Sequence, residues 1–320
     1  MTDKQVLSLI QFINENWEST SAWPDFLEAM RLLLPEEGIE SDRNLRWALL
    51  PGLCCQAAGG EFQLAKEVSA AWLILHLAGH LVDSVEDGDN VEEINALGGP
   101  GSAINLANGY FLSAALVLNA LFEKSHSRTQ AYYINADFYN TILVMTSGQH
   151  QDINFPQLSL KQWWQVAEAK TGSFFSLACR SGARLGTGDS EKIAAFSNYG
   201  FHLGLMLQIH DDIQELQSLL TEGITKVPKN IQHSLAFTYA LDVLPEAEIA
   251  RLNELIKSNS DEPEVVKEII EILDRSGAGL YLLAEMERHY NSGVGYLQQA
   301  DPLSPAGDQL LGLIGGLKVG

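Results

Sequence analysis

The fold is decided by the stretch Leu205-Met-Leu-Gln-Ile-His-Asp-Asp-Ile-Gln-Glu215, an apolar run that contains three acids. On an α-helix, residues four apart lie on the same face, so Asp211 and Glu215 point the same way and Asp212 is adjacent. Like charges at this spacing repel each other unless a cation lies between them. Mg²⁺ suits this pattern because it is bound by one or two carboxylates together with substrate phosphate. The stretch therefore predicts a helix that carries part of a metal and diphosphate site.

A second acid cluster lies upstream, in Asp83-Ser-Val-Glu-Asp87, directly after the apolar run at residues 70–82. Its outer acids are again four residues apart. Such pairs are common on solvated helix faces, since the chain has 41 acids among 320 residues. Two pairs that both follow apolar helix need a further explanation, because acids beside apolar surface require compensation of their charge. We predict that the two clusters face each other across a helical bundle and bind metal ions and, through them, a diphosphate.

Composition indicates an acidic globular protein, with 46% apolar residues and a net charge of −21. We expect no nucleic-acid partner, because phosphate backbones are bound by an excess of Lys and Arg. The three cysteines have neither a disulfide framework nor a metal-type spacing, which favours a reducing, cytoplasmic location. The N-terminus lacks the pattern of a signal peptide, and no apolar run reaches the roughly 18 residues of a membrane-spanning helix. We therefore expect no transmembrane segment.

Hydrophobic spacing is helical nearly throughout and predicts an all-α protein, a single domain over residues 1–320 with about ten or more helices. Residues 87–101, rich in acids and glycine, are predicted as a loop. The first segment is predicted as an amphipathic helix, and later helices are predicted at 24–33, 43–58, 62–84, 102–124, 127–149, 160–186, 190–217, 231–242, 246–258, 262–275, 277–299 and 304–318.

The chain resembles the trans-isoprenyl diphosphate synthase, or polyprenyl synthetase, family, whose members carry two aspartate-rich motifs of the form D-D-x-x-D. The resemblance covers about residues 43–241 and rests on ordered motifs: Arg43-x-x-Arg46, His76, Asp83 to Asp87, Gly148-Gln149-x-x-Asp152, Lys170-Thr171-Gly172, and Gly200-x-x-x-Gly204-x-x-x-Gln208-x-x-Asp211-Asp212. It implies the isoprenoid synthase fold, in which helices surround a central cavity. It also implies a Mg²⁺-dependent prenyltransferase that condenses isopentenyl diphosphate with an allylic prenyl diphosphate, and a homodimer.

The same resemblance assigns roles to individual residues. It implies that the metal ions are bound by Asp83, Asp87, Asp211, Asp212 and Glu215, and that the four aspartates act in catalysis together with Lys170. It implies that the substrates are bound by Gln149, Thr171, Gln208 and Lys226, and that Arg43, Arg46 and His76 bind isopentenyl diphosphate. For several of these residues an ordinary structural role stays open: a surface lysine for Lys170 and Lys226, a satisfied buried amide for Gln149 and Gln208, and a packed core histidine for His76.

Some positions depart from the family pattern, so the chain is a divergent member. Ser84 replaces the second aspartate of the first motif, and Glu215 replaces the last aspartate of the second. Glu92 and Glu93 stand where the family has two arginines that contact both diphosphates. Exchanging two positive charges for two negative ones near a diphosphate is unfavourable by several kcal/mol, even at an effective dielectric of about 20. Alternatively, these two glutamates point to solvent.

The departures leave three functions open. The first is the two-substrate prenyltransferase, which the basic trio of Arg43, Arg46 and His76 favours. The second is a class I terpene cyclase or diphosphate lyase, which needs the metals but no second diphosphate. The third is a non-catalytic subunit that forms a heteromer with an active synthase. Ser84 and the two glutamates favour the second and third. In each case the small residues before Asp83, Ala78 and Gly79, leave room for a long prenyl chain, farnesyl to geranylgeranyl or longer.

Overall fold

The protein is described by a computed structural model that covers residues 3–20, 23–34, 44–124, 128–155, 157–221, 231–258 and 262–318. These ranges contain sixteen α-helices and no β-strand, which confirms the predicted all-α class. The helices are α1 Asp3–Thr20, α2 Pro24–Leu32, α3 Leu50–Ala57, α4 Lys66–Asp87, α5 Val91–Ala96, α6 Pro100–Asn119, α7 Leu121–Lys124, α8 Arg128–Asn154, α9 Leu160–Ala167, α10 Ser173–Gly186, α11 Ser190–Thr221, α12 Leu235–Val243, α13 Glu246–Ser258, α14 Pro263–Ser276, α15 Ala278–Gln299 and α16 Ala306–Gly315. Short 3₁₀ turns lie at Asn44–Leu49, Phe62–Ala65 and Ile231–His233, and a π-helical turn lies at Glu168–Gly172.

The stretch predicted as a loop at residues 87–101 contains the short helix α5, so the prediction is wrong there. Six residues are too few for a helix that is stable by itself. Ile94 is 4% exposed and anchors α5 to the core, while the acids in its first turn, Glu92 and Glu93, favour the helix through its dipole. Tertiary packing therefore forms a helix where composition indicates a loop.

Packing divides the chain into two compact units. The first comprises Met1–Leu143, Ser176–Gly200 and Tyr296–Leu311, and the second comprises Val144–Phe175, Phe201–Gly295 and Gly312–Gly320. The acids at positions 83 and 87 belong to the first unit, and those at 211, 212 and 215 belong to the second. The single domain over residues 1–320 stays a prediction.

In the first unit, α4 packs along α6. Residues 68–75 of α4 are all buried, which explains why this helix is apolar on every side. Trp17 Nε1 donates to Ser113 Oγ at 2.6 Å, and the Tyr110 hydroxyl donates to the Met30 carbonyl at 2.7 Å. These bonds satisfy the polar ends of two buried aromatic side chains and attach α1 and α2 to α6.

The helices α3 and α10 approach each other at glycines. A Cβ atom at Gly182 would lie 2.1 Å from the Pro51 carbonyl oxygen, and one at Gly186 would lie 2.2 Å from the Cys55 carbonyl oxygen. Backbone oxygens cannot move aside as a flexible side chain can. The two glycines are therefore required by packing, one helical turn apart on the same face of α10.

In the second unit, two buried histidines link α11 to α15. His202 Nδ1 and His289 Nδ1 lie 2.9 Å apart, and Arg288 Nη2 donates to His289 Nε2 at 2.8 Å. His289 therefore carries its proton on Nδ1 and donates it to His202, whose proton is on Nε2. Trp164 stacks on His289 with ring centroids 5.4 Å apart. Both imidazoles are held neutral within this contact.

Two helical segments of the described chain are long and apolar enough to cross a membrane, Phe62–Asp87 and Pro100–Glu123. The apolar window of the first is 67% buried inside the protein, and that of the second is 39% buried. The core helix of a globular protein meets the same criterion of length and composition. The expected lack of a transmembrane segment stays a prediction.

Candidate functional site

The acids of the central stretch lie on α11, in the second unit, as predicted from their spacing. Asp212 is 7% exposed, and its Oδ2 accepts a hydrogen bond of 2.6 Å from the Leu235 N–H at the start of α12. The adjacent cap is supplied by Ser234, whose hydroxyl accepts from the Phe237 N–H. Asp212 therefore uses one oxygen to hold α12 and keeps the other for a second partner.

Burial raises the pKa of all three carboxyl groups on this face of α11. The pKa of Asp212 rises to about 7, because of burial first and because of the charges of Glu215 and Asp211, although the Leu235 N–H acts in the opposite direction. Burial also raises the pKa of Glu215, and it raises the pKa of Asp211 against the effect of His210. Carboxylates in such surroundings are stabilised by a nearby cation.

Lys170 lies in the π-helical turn between α9 and α10. Single π-helical turns of this kind are frequent at functional sites. Its Nζ lies 2.9 Å from Asp152 Oδ2, and both side chains are about one quarter exposed or less. The next residue, Thr171, donates from Oγ1 to Gln208 Oε1 at 3.2 Å. The structure thus brings together the lysine motif, the aspartate that ends the Gly148-Gln149 motif, and the glutamine of α11.

The glycines of these motifs allow the elements to touch. A Cβ atom at Gly204 of α11 would lie 2.5 Å from the Thr171 carbonyl oxygen, and one at Gly148 of α8 would lie 2.8 Å from the Ala169 Cβ. Larger residues would separate α8 and α11 from the π-helical turn. This close approach places Lys170 and Gln208 within reach of their partners.

Gln149 has an unusual position for an amide. Its Oε1 and Nε2 are both buried and have no hydrogen-bond partner within the part of the chain that the structure describes. A buried amide normally finds a backbone or side-chain partner, since leaving it unpaired costs about 1–3 kcal/mol. The interpretation of Gln149 as an ordinary satisfied amide is therefore not supported, and its side chain is suited to contact a ligand.

Sequence reasoning missed two neighbours of Lys170. Asp152 ends the Gly148-Gln149 motif, and the sequence alone does not indicate its role, which is to form the ion pair with Lys170. His233 Nδ1 lies 4.0 Å from Asp152 Oδ1, and its carbonyl accepts from Trp163 Nε1. Nothing in the sequence indicates these contacts, because they join elements that are far apart along the chain.

The first unit carries the other acid cluster on the last turns of α4. Asp83 is partly exposed and Asp87 is exposed, one helical turn apart. Between them Ser84 is 3% exposed, and its hydroxyl accepts from Asn90 Nδ2 at 2.8 Å. Ser84 therefore links α4 to the turn that follows it. The carboxylates of the cluster at this end of α4 belong to Asp83 and Asp87. Whether the two clusters face each other stays a prediction.

The two glutamates at the positions of the family arginines behave differently. Glu92 is exposed, as the solvent alternative predicts. Glu93 Oε1 lies 2.7 Å from His80 Nε2, with both side chains a little over one third exposed. Because His80 is on α4, the Glu93 side chain of α5 is held against the helix that carries Asp83.

The basic trio can be described only in part. His76 is exposed and stacks on Trp72, with centroids 6.3 Å apart, so the interpretation as a packed core histidine is wrong. Arg46 lies in the 3₁₀ turn Asn44–Leu49. Arg43 and Lys226 lie outside the described residues.

The donor set fits a hard divalent cation, although the described residues do not by themselves form a complete cage. No group of three or more His, Cys, Asp or Glu side chains in the described ranges could hold a metal ion. Mg²⁺ does not need such a group, since it keeps water and takes one or two carboxylates plus substrate phosphates. The carboxylates of α11, with raised pKa values and one oxygen of Asp212 available, supply that number.

The sequence and the fold of the chain are similar to those of known proteins. Residues 43–273 match the polyprenyl synthetase family. The chain is 27% identical over 239 residues to a short chain isoprenyl diphosphate synthase of Methanothermobacter thermautotrophicus, with 72% of each chain covered. It is 26% identical over 207 residues to a tryptophan prenyltransferase of Bacillus subtilis subsp. natto, covering 63% of this chain and 61% of that protein. Its fold matches the crystal structure of a polyprenyl synthetase from Streptomyces coelicolor A3(2), with a TM-score of 0.82, 20% identity, and coverage of 99% and 98%.

Proposed function

The chain belongs to the polyprenyl synthetase family and is a prenyltransferase, and from this premise we propose that it is Mg²⁺-dependent and transfers an allylic prenyl group to isopentenyl diphosphate. The observation that carries the proposal is the set of acids on α11, whose pKa values are raised by burial and, for Asp212, also by the charges of Glu215 and Asp211. A cytoplasmic location is part of the proposal, and the buried free cysteines support it.

Several residues of the chain are suited to bind the diphosphate of the donor as it leaves the prenyl group. A divalent cation, when bound, neutralises the charge that develops on the leaving diphosphate as its C–O bond breaks. The residues that would hold such cations are Asp211, Asp212 and Glu215 in the second unit and, as a separate cluster, Asp83 and Asp87 in the first. Lys170, positioned by Asp152, and the amide of Gln149 bind the diphosphate oxygens and orient them.

The space near the first cluster suits a long donor chain. A Cβ atom at Gly79 would meet no atom within 4 Å, whereas Ala78 is fully buried. The small residue Gly79, one turn before Asp83, is compatible with a farnesyl, geranylgeranyl or longer donor. We include this donor length in the proposal.

A second candidate differs in the acceptor. Glu93 of α5, held by His80, puts negative charge beside the helix of Asp83, where a second diphosphate would be repelled. An uncharged acceptor, such as the indole of a tryptophan, would not meet this repulsion. The similarity to a tryptophan prenyltransferase supports this candidate.

One assay distinguishes these functions. The purified protein is incubated with Mg²⁺ and geranyl, farnesyl or geranylgeranyl diphosphate, with isopentenyl diphosphate, with a tryptophan-containing peptide, or with no acceptor. We expect a longer prenyl diphosphate only when both diphosphates are present, and none when EDTA replaces Mg²⁺.

Other products would contradict the first proposal in defined ways. A prenylated peptide would support the second candidate. Hydrocarbon or alcohol from the donor alone would support a cyclase or lyase. Absence of any product would support a partner subunit that acts with an active synthase.

We also propose that the protein is a homodimer that pairs through α6. This helix contains no charged residue, although the chain has a net charge of −21. Leu112 and Leu116 of α6 are 68% and 54% exposed. Exposed apolar surface of this kind marks an interaction site, and a charge-free face is where two acidic copies repel each other least.

The dimer is tested by introducing a charge on α6. Leu112→Glu is expected to shift the protein from dimer to monomer by about tenfold or more in dissociation constant, because it buries a carboxylate in the interface. Sedimentation velocity measures this shift. Leu280→Glu, at a leucine of α15 that is 76% exposed, is the matched control and should leave the dimer intact. A wild-type monomer, or equal effects of the two variants, would refute pairing through α6.

A further inference from the structure

The first unit contains a small cavity away from the acid motif. Its volume is about 210 Å³, and it lies between α1, the 3₁₀ turn Phe62–Ala65 and the first turn of α4. Ser69, which lines it, is on the same helix as Asp83 but about 21 Å away along the axis, at 1.5 Å per residue. The cavity is therefore separate from the carboxylates that the proposed reaction uses.

The cavity contains a buried hydroxyl that needs a partner. Ser69 is 3% exposed, and its Oγ has no hydrogen-bond partner among the residues that the structure describes. A serine within a helix can donate to the carbonyl four residues earlier, but Ser69 does not. Since buried polar groups are nearly always paired, the Ser69 hydroxyl is left to pair with a molecule in the cavity, a ligand or an ordered water.

The charge of the lining is unusual for this chain. Lys4 and Lys66 both line the cavity, and none of its nine described lining residues is acidic. In the whole chain acids outnumber bases, 41 to 20. Lys66 Nζ lies 4.6 Å from the centroid of the Phe12 ring, which holds the ammonium group in place. Lysine ammonium groups and a hydroxyl are donor types that bind an anion, and this lining contains two such lysines and one serine that is unpaired within the described part of the chain.

The remaining lining is mixed: Leu9, Leu49 and Phe62 supply apolar surface, and Gln5, Ser8 and Gln63 supply polar groups. Leu9 and Leu49 are buried, and the Phe62 ring occupies the space that a side chain at Gly52 would fill. An apolar pocket with a few convergent polar groups is the usual form of a small-molecule site, although this one is smaller than most. Its occupant is therefore compact, with an anionic end and an apolar body.

We propose that the cavity lined by Lys4, Lys66 and Ser69 binds a compact organic anion, a phosphate monoester or a carboxylate. The lysines bind its oxygens, the Ser69 hydroxyl completes the hydrogen bonding, and the apolar part lies against Leu9 and Phe62. The site is independent of the prenyl transfer proposed above and stands if that proposal fails.

The test is calorimetric titration of the full-length protein in EDTA with phenyl phosphate, benzoate and inorganic phosphate. We expect binding at one site. Whichever of phenyl phosphate and benzoate binds more tightly identifies the preferred anionic group. Inorganic phosphate should bind more weakly than phenyl phosphate. Lys66→Gln should weaken binding about tenfold or more. Lys257→Gln, at an exposed lysine of α13, should bind as the wild type does.

Two further variants keep the test decisive. Ser69→Ala removes an unpaired hydroxyl, so it should leave the melting temperature of the ligand-free protein unchanged or higher while weakening binding several-fold. Asp211→Ala should leave binding unchanged. The proposal is overturned by no measurable binding, by equal affinity in Lys66→Gln and wild type, by equal losses in Lys66→Gln and Lys257→Gln, or by loss of binding in Asp211→Ala.

Discussion

Replacing Asp211 by alanine is expected to lower kcat/KM for prenyl transfer by about 10³-fold, the size of effect seen when one stabilising group is removed from a charge-developing site. Asp211 supplies a carboxylate on the face of α11 that also carries Glu215. Without it the cation that neutralises the leaving diphosphate is held less well. Steady-state kinetics with saturating Mg²⁺ measures the loss.

The stability of the metal-free protein should not fall together with the activity. Burial raises the pKa of Asp211, and its charge raises that of Asp212, so removing it relieves repulsion in the metal-free protein. Thermal unfolding in EDTA should therefore show no loss of stability for Asp211→Ala. A lower melting temperature together with lower activity would indicate a merely structural role.

The matched control is Asp274→Ala, which removes an exposed acid from α14 in the same unit. It should retain the wild-type rate. Asp83→Ala applies the same test to the cluster on α4, and we expect a comparable loss of activity. A near-normal rate in either Asp211→Ala or Asp83→Ala would refute the metal assignment at that cluster.

The pair His202 and His289 is expected to make the protein less stable in acid. Burial first, and then the charge of Arg288, lower the pKa of His202 to about 4 and that of His289 to about 3, from 6.5 in the unfolded chain. Below pH 6.5 the unfolded chain binds protons that the folded protein does not. The stabilisation is therefore complete above pH 6.5 and declines as the pH falls toward 4.

The size of this effect follows from the proton uptake. One pKa unit corresponds to about 1.4 kcal/mol. When His289 alone is considered and His202 is left out, the free energy of unfolding should fall by about 2 kcal/mol between pH 7 and pH 5. The acids of α11 have raised pKa values and oppose this trend, so the difference between variants is the informative quantity. Urea unfolding at several pH values measures the free energy of unfolding.

His289→Asn keeps a polar group near the Nδ1 position but does not titrate. It should be less stable than the wild type at pH 7, because it loses the stacking on Trp164, and its stability should vary less between pH 7 and pH 5. His150→Asn, at an exposed histidine of α8, is the control and should follow the wild type. Parallel curves for the wild type and His289→Asn would exclude the histidine pair as the cause.

Much of the helical framework could be predicted from the sequence. The periodic pattern places most helices within a few residues of their observed ends, although the helix predicted at 43–58 begins with a 3₁₀ turn and the one predicted at 160–186 is interrupted by a π-helical turn. The family resemblance is confirmed by the match over residues 43–273. The acids of α11 lie on one helix at the predicted spacing. Periodicity reveals these features because each depends on residues that are close along the chain.

The sequence was misleading or silent where a contact joins distant segments. The helix α5 forms because Ile94 reaches the core, and Ser84 is buried because Asn90 binds it. The carboxyl partner of Lys170 comes from α8, and the partner of Glu93 comes from α4. None of these pairings follows from local propensity.

The sequence by itself determined that the chain is an all-α polyprenyl synthetase, since hydrophobic period and motif order are written in neighbouring residues. Only the tertiary structure decided which polar side chains are paired, which are left for a ligand, and which carboxylates become difficult to ionise. Gln149, Asp212 and Ser69 acquire their roles from burial, and burial depends on which helix faces meet, a property that the spacing within one helix does not contain.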